Sequence, residues 1–221
     1  EIGMILLENT VTASPEQWRA AIMGARNPMN SWDKSDSAFW PGHMNIGEND
    51  LGLMKRLVAA GTDHSKFMRF LPVTVDVTAP LYWLKEMDTY KVGTVANSCS
   101  TMHKIQAKEF TLEDFSHEHC TTRSMELLMR TVKYLNEVRD LYVNYEIHDN
   151  NGYRKPTKKE VWWQMIQLLP SSYNQKRTMM LNYTVLRNIY FARRDHRLDE
   201  WHDFCKWIEK LPFSELITLE K

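Results

Sequence analysis

The sequence is poor in the residues that mark several classes of protein. Its three cysteines, Cys99, Cys120 and Cys205, are an odd number without CxxC spacing, which excludes a disulfide-stapled secreted scaffold. Eight Gly and eight Pro among 221 residues are too few for a collagen-like or low-complexity chain. No apolar run approaches the roughly 18 residues of a membrane span, and residues 1–9 lack the charged start and long apolar run of a signal peptide. An excess of one charge is missing too: 28 Lys+Arg balance 28 Asp+Glu, so no extended nucleic acid is expected as a partner. What is abundant, 43% hydrophobic residues with 13 Met and 8 Trp, fits one well-packed soluble domain over residues 1–221, expected to be cytoplasmic.

Local signals divide the chain. Ser14-Pro15-Glu16-Gln17 is a capping box with Pro at the first helical position, opening a helix to about Gly24. From Ala25 to Asn49 the chain turns irregular and polar, with Trp32, Phe39 and Trp40 interspersed; a binding loop and a surface loop pinned by aromatics are both open readings. Asp50 is placed to cap a second helix ending at Gly61. Between Phe70 and Thr78 the period drops to two: Leu71, Val73, Val75 and Val77 alternate with polar residues and Pro72, as in a strand with one buried face. Leu81–Met87 reads as a helix, followed by a polar run from Asp88 to Lys104. Met125, Leu128, Val132, Leu135, Val138 and Tyr142 define a long amphipathic helix over about Thr121–Tyr145. Asp149-Asn150-Asn151-Gly152 reads as a turn, and Thr157-Lys158-Lys159-Glu160 as a second capping box. Helical patterns are expected from about Gln175 to Arg193 and from Asp199 to Leu211.

Three groups of side chains have chemical potential. His117-Glu118-His119-Cys120, and His202 with Cys205, carry metal-ligand residue types, but neither has the second pair a zinc site requires, so no metal is expected. Cys99 would be an activated thiol if folding brought Lys91 and His103 to it, and a small packed residue otherwise. Arg187 and Arg194 share a helix face seven residues apart, with Lys176 and Arg177 expected earlier on the same helix; the group either forks onto a phosphate or is a solvated face paired with Asp195, Asp199 and Glu200.

In order, a strand closing in Val77-Thr78-Ala79-Pro80, the polar segment after Trp83, Leu169-Pro170, and Asn182-Tyr183-Thr184-Val185-Leu186-Arg187-Asn188 through Arg193 resemble the flavin-dependent thymidylate synthases, as does Ala25-Arg26 with Ser31. The family motif RHRxxSxNExSxRY corresponds to the stretch from Thr89 to His103 with one inserted residue. Asn97 and Ser100 are retained; Lys91 stands for the second Arg and Thr94 for Ser. Thr89, Tyr90, Ser98, Met102 and His103 replace the first Arg, His, Glu, the late Arg and Tyr. Asn182 matches an Asn that in the family lies near flavin, and the neighbouring family Arg is Thr184 here.

The resemblance implies an α/β (α+β) fold, a mixed or antiparallel sheet wrapped by helices, and a homotetramer. It implies FAD as cofactor, methylenetetrahydrofolate as carbon donor, NADPH as reductant and a pyrimidine mononucleotide as substrate. Lys91, Asn97, Ser98, Ser100 and Arg193 would hold the nucleotide; Tyr90, Lys91, Thr94 and Asn182 would contact flavin. Three outcomes stay open: methylation of deoxyuridylate, modification of a related pyrimidine nucleotide, or binding without catalysis.

Overall fold

The computed structural model describes residues 4–145 and 155–220, so the turn expected at Asp149-Asn150-Asn151-Gly152 lies outside the described residues. The fold is mixed α/β, with antiparallel pairing and helices wrapped around the sheet. A four-stranded sheet has the order β1 (Leu6–Val11), β4 (Pro72–Pro80), β6 (Asn174–Asn182), β5 (Val95–Ser98). A separate hairpin pairs β2 (Ala38–Trp40) with β3 (His43–Asn45) antiparallel, Phe39 opposite Met44. The helices are α1 (Pro15–Arg26), α2 (Glu48–Ala59), α3 (Leu81–Met87), α4 (Thr101–Lys104), α5 (Thr122–Val143), α6 (Lys158–Gln167), α7 (Tyr183–Arg193), α8 (Asp199–Glu209) and α9 (Glu215–Thr218). Among the described residues, no helix is long and apolar enough to cross a membrane.

The chain divides into two compact units. The first comprises Glu1–Val77, Met87–Asn97 and Arg177–Lys221. Here the alternation along β4 buries Val73, Val75 and Val77 completely. On the opposite face Asp76 accepts from Asn9 Nδ2 (2.9 Å) and Thr178 Oγ1 (2.6 Å), so the polar half of the alternation ties β4 to both neighbouring strands. The α1 capping box forms as its sequence predicts, with Ser14 Oγ accepting from Gln17 N and Gln17 Oε1 accepting from Ser14 N. It directs Trp18 inward, edge-on to Tyr183 at 5.7 Å. α8 buries Trp201, Phe204, Cys205 and Ile208 on one face.

The second unit, Thr78–Glu86 and Ser98–Lys176, is built around α5 and α6. Leu128, Val132, Leu135 and Val138 of α5 pack with Val161 and Met165 of α6 and with Phe110 and Phe115. Thr121 caps α5, and the Thr157 capping box with Glu160 opens α6. Asn136 reaches from α5 to the backbone of Phe110, accepting from its N–H and donating to its carbonyl, each at 2.8 Å.

Three expectations are corrected. Residues 175–193 are not one helix: β6 occupies Asn174–Asn182, and the helix begins only at Tyr183. The stretch Gln175 to Leu181 lacks glycine and proline and tolerates either conformation, and its position between β4 and β5 in the sheet selects the strand, burying Met179 and Leu181 two residues apart. The segment 25–49 is not wholly irregular, since it holds the β2–β3 hairpin and 3-10 turns at Asn27–Met29 and Trp32–Lys34.

Finally, Asp50 does not cap α2. The carboxylate of Asp36, from the preceding loop, accepts from Asn49 N (2.9 Å) and Asp50 N (3.1 Å), satisfying two of the free N–H groups at the helix start. Gly47, at the N-cap position, makes this possible: a Cβ there would lie 2.1 Å from Asp36 Cγ. Asp50 instead faces inward, fully buried, 2.6 Å from Arg26 Nε.

Candidate functional site

The residues expected to bind ligand begin after α3, where Tyr90 N–H donates to the Met87 carbonyl and the chain turns through Lys91, Val92 and Gly93 to Thr94. Gly93 has φ +80°, and a Cβ there would lie 3.0 Å from Val185 Cγ2 and 3.1 Å from Asn182 Nδ2. Both backbone sign and space demand glycine at this point. The loop thereby rests against the start of α7, which Asn182 caps by accepting from Val185 N at 3.1 Å. Lys91 is exposed on the outer side of the turn.

The other end of α7 returns to Tyr90. Arg193 Nε donates to the Tyr90 hydroxyl at 2.8 Å, across 103 positions of sequence. The guanidinium carbon lies 4.8 Å from the Trp201 ring centre and 5.6 Å from that of Tyr90, and the two rings meet edge-on at 6.1 Å. A planar cation laid on aromatic faces gains from their quadrupoles and is fixed in orientation. Trp201, fully buried, is the floor of this corner; sequence reasoning missed it, because only the fold sets α8 beside Tyr90.

Two hydroxyls, Thr94 Oγ1 and Thr184 Oγ1, are buried without a hydrogen-bond partner. Uncompensated buried hydroxyls are costly and uncommon, and a ligand with acceptors or donors is one way of satisfying them. Thr184 lines a cavity of about 690 Å³ together with Thr62, Ser65, Arg187, Asn188 and Phe191. Arg187 stacks on Phe191 at 4.7 Å and donates to the Ile217 carbonyl at 2.8 Å; desolvation depresses its pKa, but a guanidinium remains charged at neutral pH. Arg194 also stacks on Phe191, at 4.9 Å, and pairs with Glu220 at 2.5 Å, so the expected sharing of a face by Arg187 and Arg194 holds. Lys176 and Arg177 do not join them as helix residues, because they lie on β6, where Arg177 pairs with Asp88 at 2.6 Å.

The remaining candidates lie elsewhere. Asn97 and Ser98 are exposed on the edge strand β5. Ser100 belongs to the second unit, where it caps the α4 turn by accepting from His103 N at 3.1 Å. It lines a cavity of about 420 Å³ with Lys104, Lys108, Lys176 and Asp114. The Lys108–Asp114 contact, 2.5 Å, raises the lysine pKa and uses up part of the positive charge of that cavity. The structure therefore brings Tyr90 to Arg193 and the Thr94 loop to Asn182, and leaves Lys91, Asn97 and Ser98 on exposed surface.

Among the described residues, no group of three His, Cys, Asp or Glu side chains is placed to hold a metal ion. His117 Nδ1 contacts the Phe115 carbonyl at 2.7 Å and His202 lies 3.4 Å from Asp199. Burial pushes the Cys205 thiol up to about 11, which keeps it neutral. Cys99 is exposed, its backbone paired with Lys176 of β6.

With this geometry in place the class of fold can be stated: the chain has the fold of the flavin-dependent thymidylate synthases, known as ThyX. No protein-family model matches the sequence, and no curated protein does. The likeness is to solved structures. One is the flavin-dependent thymidylate synthase ThyX of Helicobacter pylori complexed with FAD and dUMP, at TM-score 0.64 and 16% identity, covering 98% of this chain and 97% of that one. A second structure of the Helicobacter pylori protein with FAD and dUMP matches at 0.64 and 16%, over 98% and 96%. The third is a UMP/dUMP methylase, PolB of Streptomyces cacaoi, bound with 5-Br dUMP, at 0.61 and 15%, over 98% and 95%. At such identities the likeness defines the fold.

Proposed function

We propose that this protein binds a pyrimidine mononucleotide and FAD and methylates C5 of the base, with dUMP or a related nucleotide as substrate, methylenetetrahydrofolate as carbon donor and NADPH as reductant. What supports the reading above all is the end-to-end likeness in fold, over 98% of the chain, to proteins solved with FAD and dUMP or acting as a UMP/dUMP methylase. The local chemistry agrees with it. The unpartnered hydroxyls of Thr94 and Thr184 suit the heteroatom-rich edge of a flavin, and the cavity of about 690 Å³ beside Thr184 is large enough for a ring system.

In this reading Tyr90, Thr94 and Asn182 hold the flavin, and Lys91, Asn97, Ser98, Ser100 and Arg193 hold the nucleotide, with Lys91 near both. Bound flavin would supply the hydride and the route by which the one-carbon unit reaches the pyrimidine. The chain's own part is orientation. Arg193, laid over Trp201 and tied by Nε to the Tyr90 hydroxyl, would help orient the pyrimidine, and the Gly93 turn brings its loop against the cap of α7. Homotetrameric assembly belongs to the same proposal.

A second reading, nucleotide binding without catalysis, is favoured by one observation: Ser98 and Met102, which replace the motif's Glu and late Arg, are exposed and carry no charge. Phosphate then has only Lys91 as a motif cation, a point charge in place of forks. The visible spectrum of the purified protein, a thermal shift with added FAD, and conversion of dUMP with methylenetetrahydrofolate and NADPH separate the readings. Flavin absorbance with product supports the first. Nucleotide binding with no flavin absorbance and no shift on adding FAD defeats it in favour of the second. Lys91→Ala is expected to weaken dUMP binding about tenfold by calorimetry, the loss of one charge-assisted contact.

A further inference from the structure

Arg187 and Arg194 both lie against the Phe191 ring, at 4.7 and 4.9 Å, yet only one of them is neutralised. Arg194 has the Glu220 carboxylate at 2.5 Å and that of Asp195 at 3.6 Å. Arg187 spends one N–H on the Ile217 carbonyl, and among the described residues no carboxylate pairs with it. Part of its side chain is withdrawn from water, which lowers its pKa, so the charge is held at a cost that a bound anion would offset.

The cavity of about 690 Å³ that Arg187 lines has a wall of two kinds. Thr62, Ser65 and Thr184 bring hydroxyls to it and Asn188 an amide, and the Thr184 hydroxyl has no partner inside the protein. Val58, Met68, Phe191 and Ala192 make the rest apolar. Hydroxyl and amide donors beside a guanidinium fork match the oxygens of a phosphate, and the apolar wall suits an organic ring attached to it. Among the described residues Glu220 is the only acid on that wall, and its side chain is 69% exposed. We propose that this cavity is an anion site in which Arg187 grips a phosphate group of an organic ligand, with Glu220 as the internal carboxylate that competes for the same charge. The Glu220 carboxylate already acts on Arg187, raising its basicity, while an exposed ion pair to Arg194 keeps it in place. Such a pair contributes little and yields readily to a more highly charged phosphate. In the proposed function the phosphate is that of FAD, and this assignment rests on the flavin reading; the phosphate site itself does not.

Calorimetric titration of the full chain with inorganic diphosphate tests the site. Arg187→Gln is expected to weaken binding about tenfold, the loss of one charge-assisted contact, and Arg187→Lys to restore part of it. Glu220→Gln is expected to act the other way, tightening binding about threefold by removing a like charge. The opposite signs separate binding from support. Both side chains fasten residues 217–220, Arg187 through the Ile217 carbonyl and Glu220 through Arg194, so a purely structural role would make both variants weaken binding. Titrations with FAD, FMN and riboflavin then identify the source of the phosphate: Arg187→Gln should cost FAD and FMN about tenfold and riboflavin almost nothing. A wild type that takes up neither diphosphate nor any flavin overturns the proposal. So does Arg187→Gln that binds diphosphate and FAD as the wild type does, or Glu220→Gln that binds them more weakly. Diphosphate binding that depends on Arg187, in a protein that binds no flavin, keeps the site and defeats the flavin reading; FAD binding indifferent to Arg187→Gln keeps the reading and defeats the site.

Discussion

Arg26 and Arg193 both fall in stretches that resemble flavin-dependent thymidylate synthases, and their surroundings differ in kind. Arg26 is 4% exposed and meets acceptors on all sides: Asp50 Oδ1 at Nε, and the carbonyls of Ser31 and Lys34 at the two terminal nitrogens, each 3.0 Å away. Its partner is equally enclosed, with Asp50 Oδ2 accepting from the Ser35 hydroxyl and from both the hydroxyl and N–H of Ser37. Arg193 is partly exposed, lies over the Trp201 ring and donates from Nε to the Tyr90 hydroxyl. An ion pair closed on every side organises a loop; Arg193 lies over one aromatic ring and is tied by its Nε alone to the phenol. The first region is architecture, and the second belongs to the proposed nucleotide site.

The largest test of this contrast is Asp50→Ala. Leaving a buried guanidinium without its counter-ion is expected to cost about 3–5 kcal/mol of stability, read from urea unfolding. A loss under 1 kcal/mol would mean that the pair does not hold the loop. The same pair sets an acid limit. Burial alone would raise the Asp50 pKa, but hydrogen bonds from Ser37 and Ser35, together with Arg26, outweigh it and hold the carboxyl below its ordinary value. Its stabilisation is therefore complete above about pH 4 and is lost as pH falls through the lowered folded value. Asp50→Asn should flatten the acid limb of the stability profile; an unchanged profile would refute this assignment.

Next in size is Gly93→Ala, in the loop that rests against α7. A positive φ costs a Cβ-bearing residue about 1–2 kcal/mol, and the close approach of Val185 and Asn182 adds to it. A melting temperature equal to wild type would show that the turn is not held as described.

Gly47→Ala probes the architectural region through its cap. It is expected to cost about 1 kcal/mol by driving Asp36 off the start of α2. In an Asp36→Ala background the same change should cost almost nothing, and an additive loss would mean that Gly47 acts in some other way.

The smallest effect on stability belongs to Tyr90→Phe, about 1 kcal/mol or less for one hydrogen bond. Its effect on dUMP affinity should be the larger, because the phenol fixes the guanidinium edge. If affinity is unchanged while stability falls, the corner is structural like Arg26, and the comparison collapses.

The legibility of these regions follows the range of the forces that make them. The capping boxes at Ser14 and Thr157, the alternation along β4 and the bounds of α3 could be read directly, because each depends on residues within a few positions of one another. β6 could not: Gln175 to Leu181 carries no decisive period, and its strand state comes from the hydrogen bonds of neighbouring strands. Asp50 read as a cap because its residue type suits one, while the carboxylate that performs the capping arrives from Asp36. In the site, the motif register pointed to Tyr90, Thr94, Asn182 and Arg193 as candidates, but nothing in it pointed to Trp201, the ring on which the arginine lies.

By itself, then, the sequence determined the local elements, a balanced charge that limits its partners, and the residue types available for a polar site. Tertiary structure alone decided which of them meet: Arg26 with Asp50, Tyr90 with Arg193, and the Thr94 loop with the cap of α7. The reason is physical. Caps and amphipathic periods are short-range properties of a chain, whereas a buried ion pair or a stacked guanidinium exists only after distant segments exclude water together.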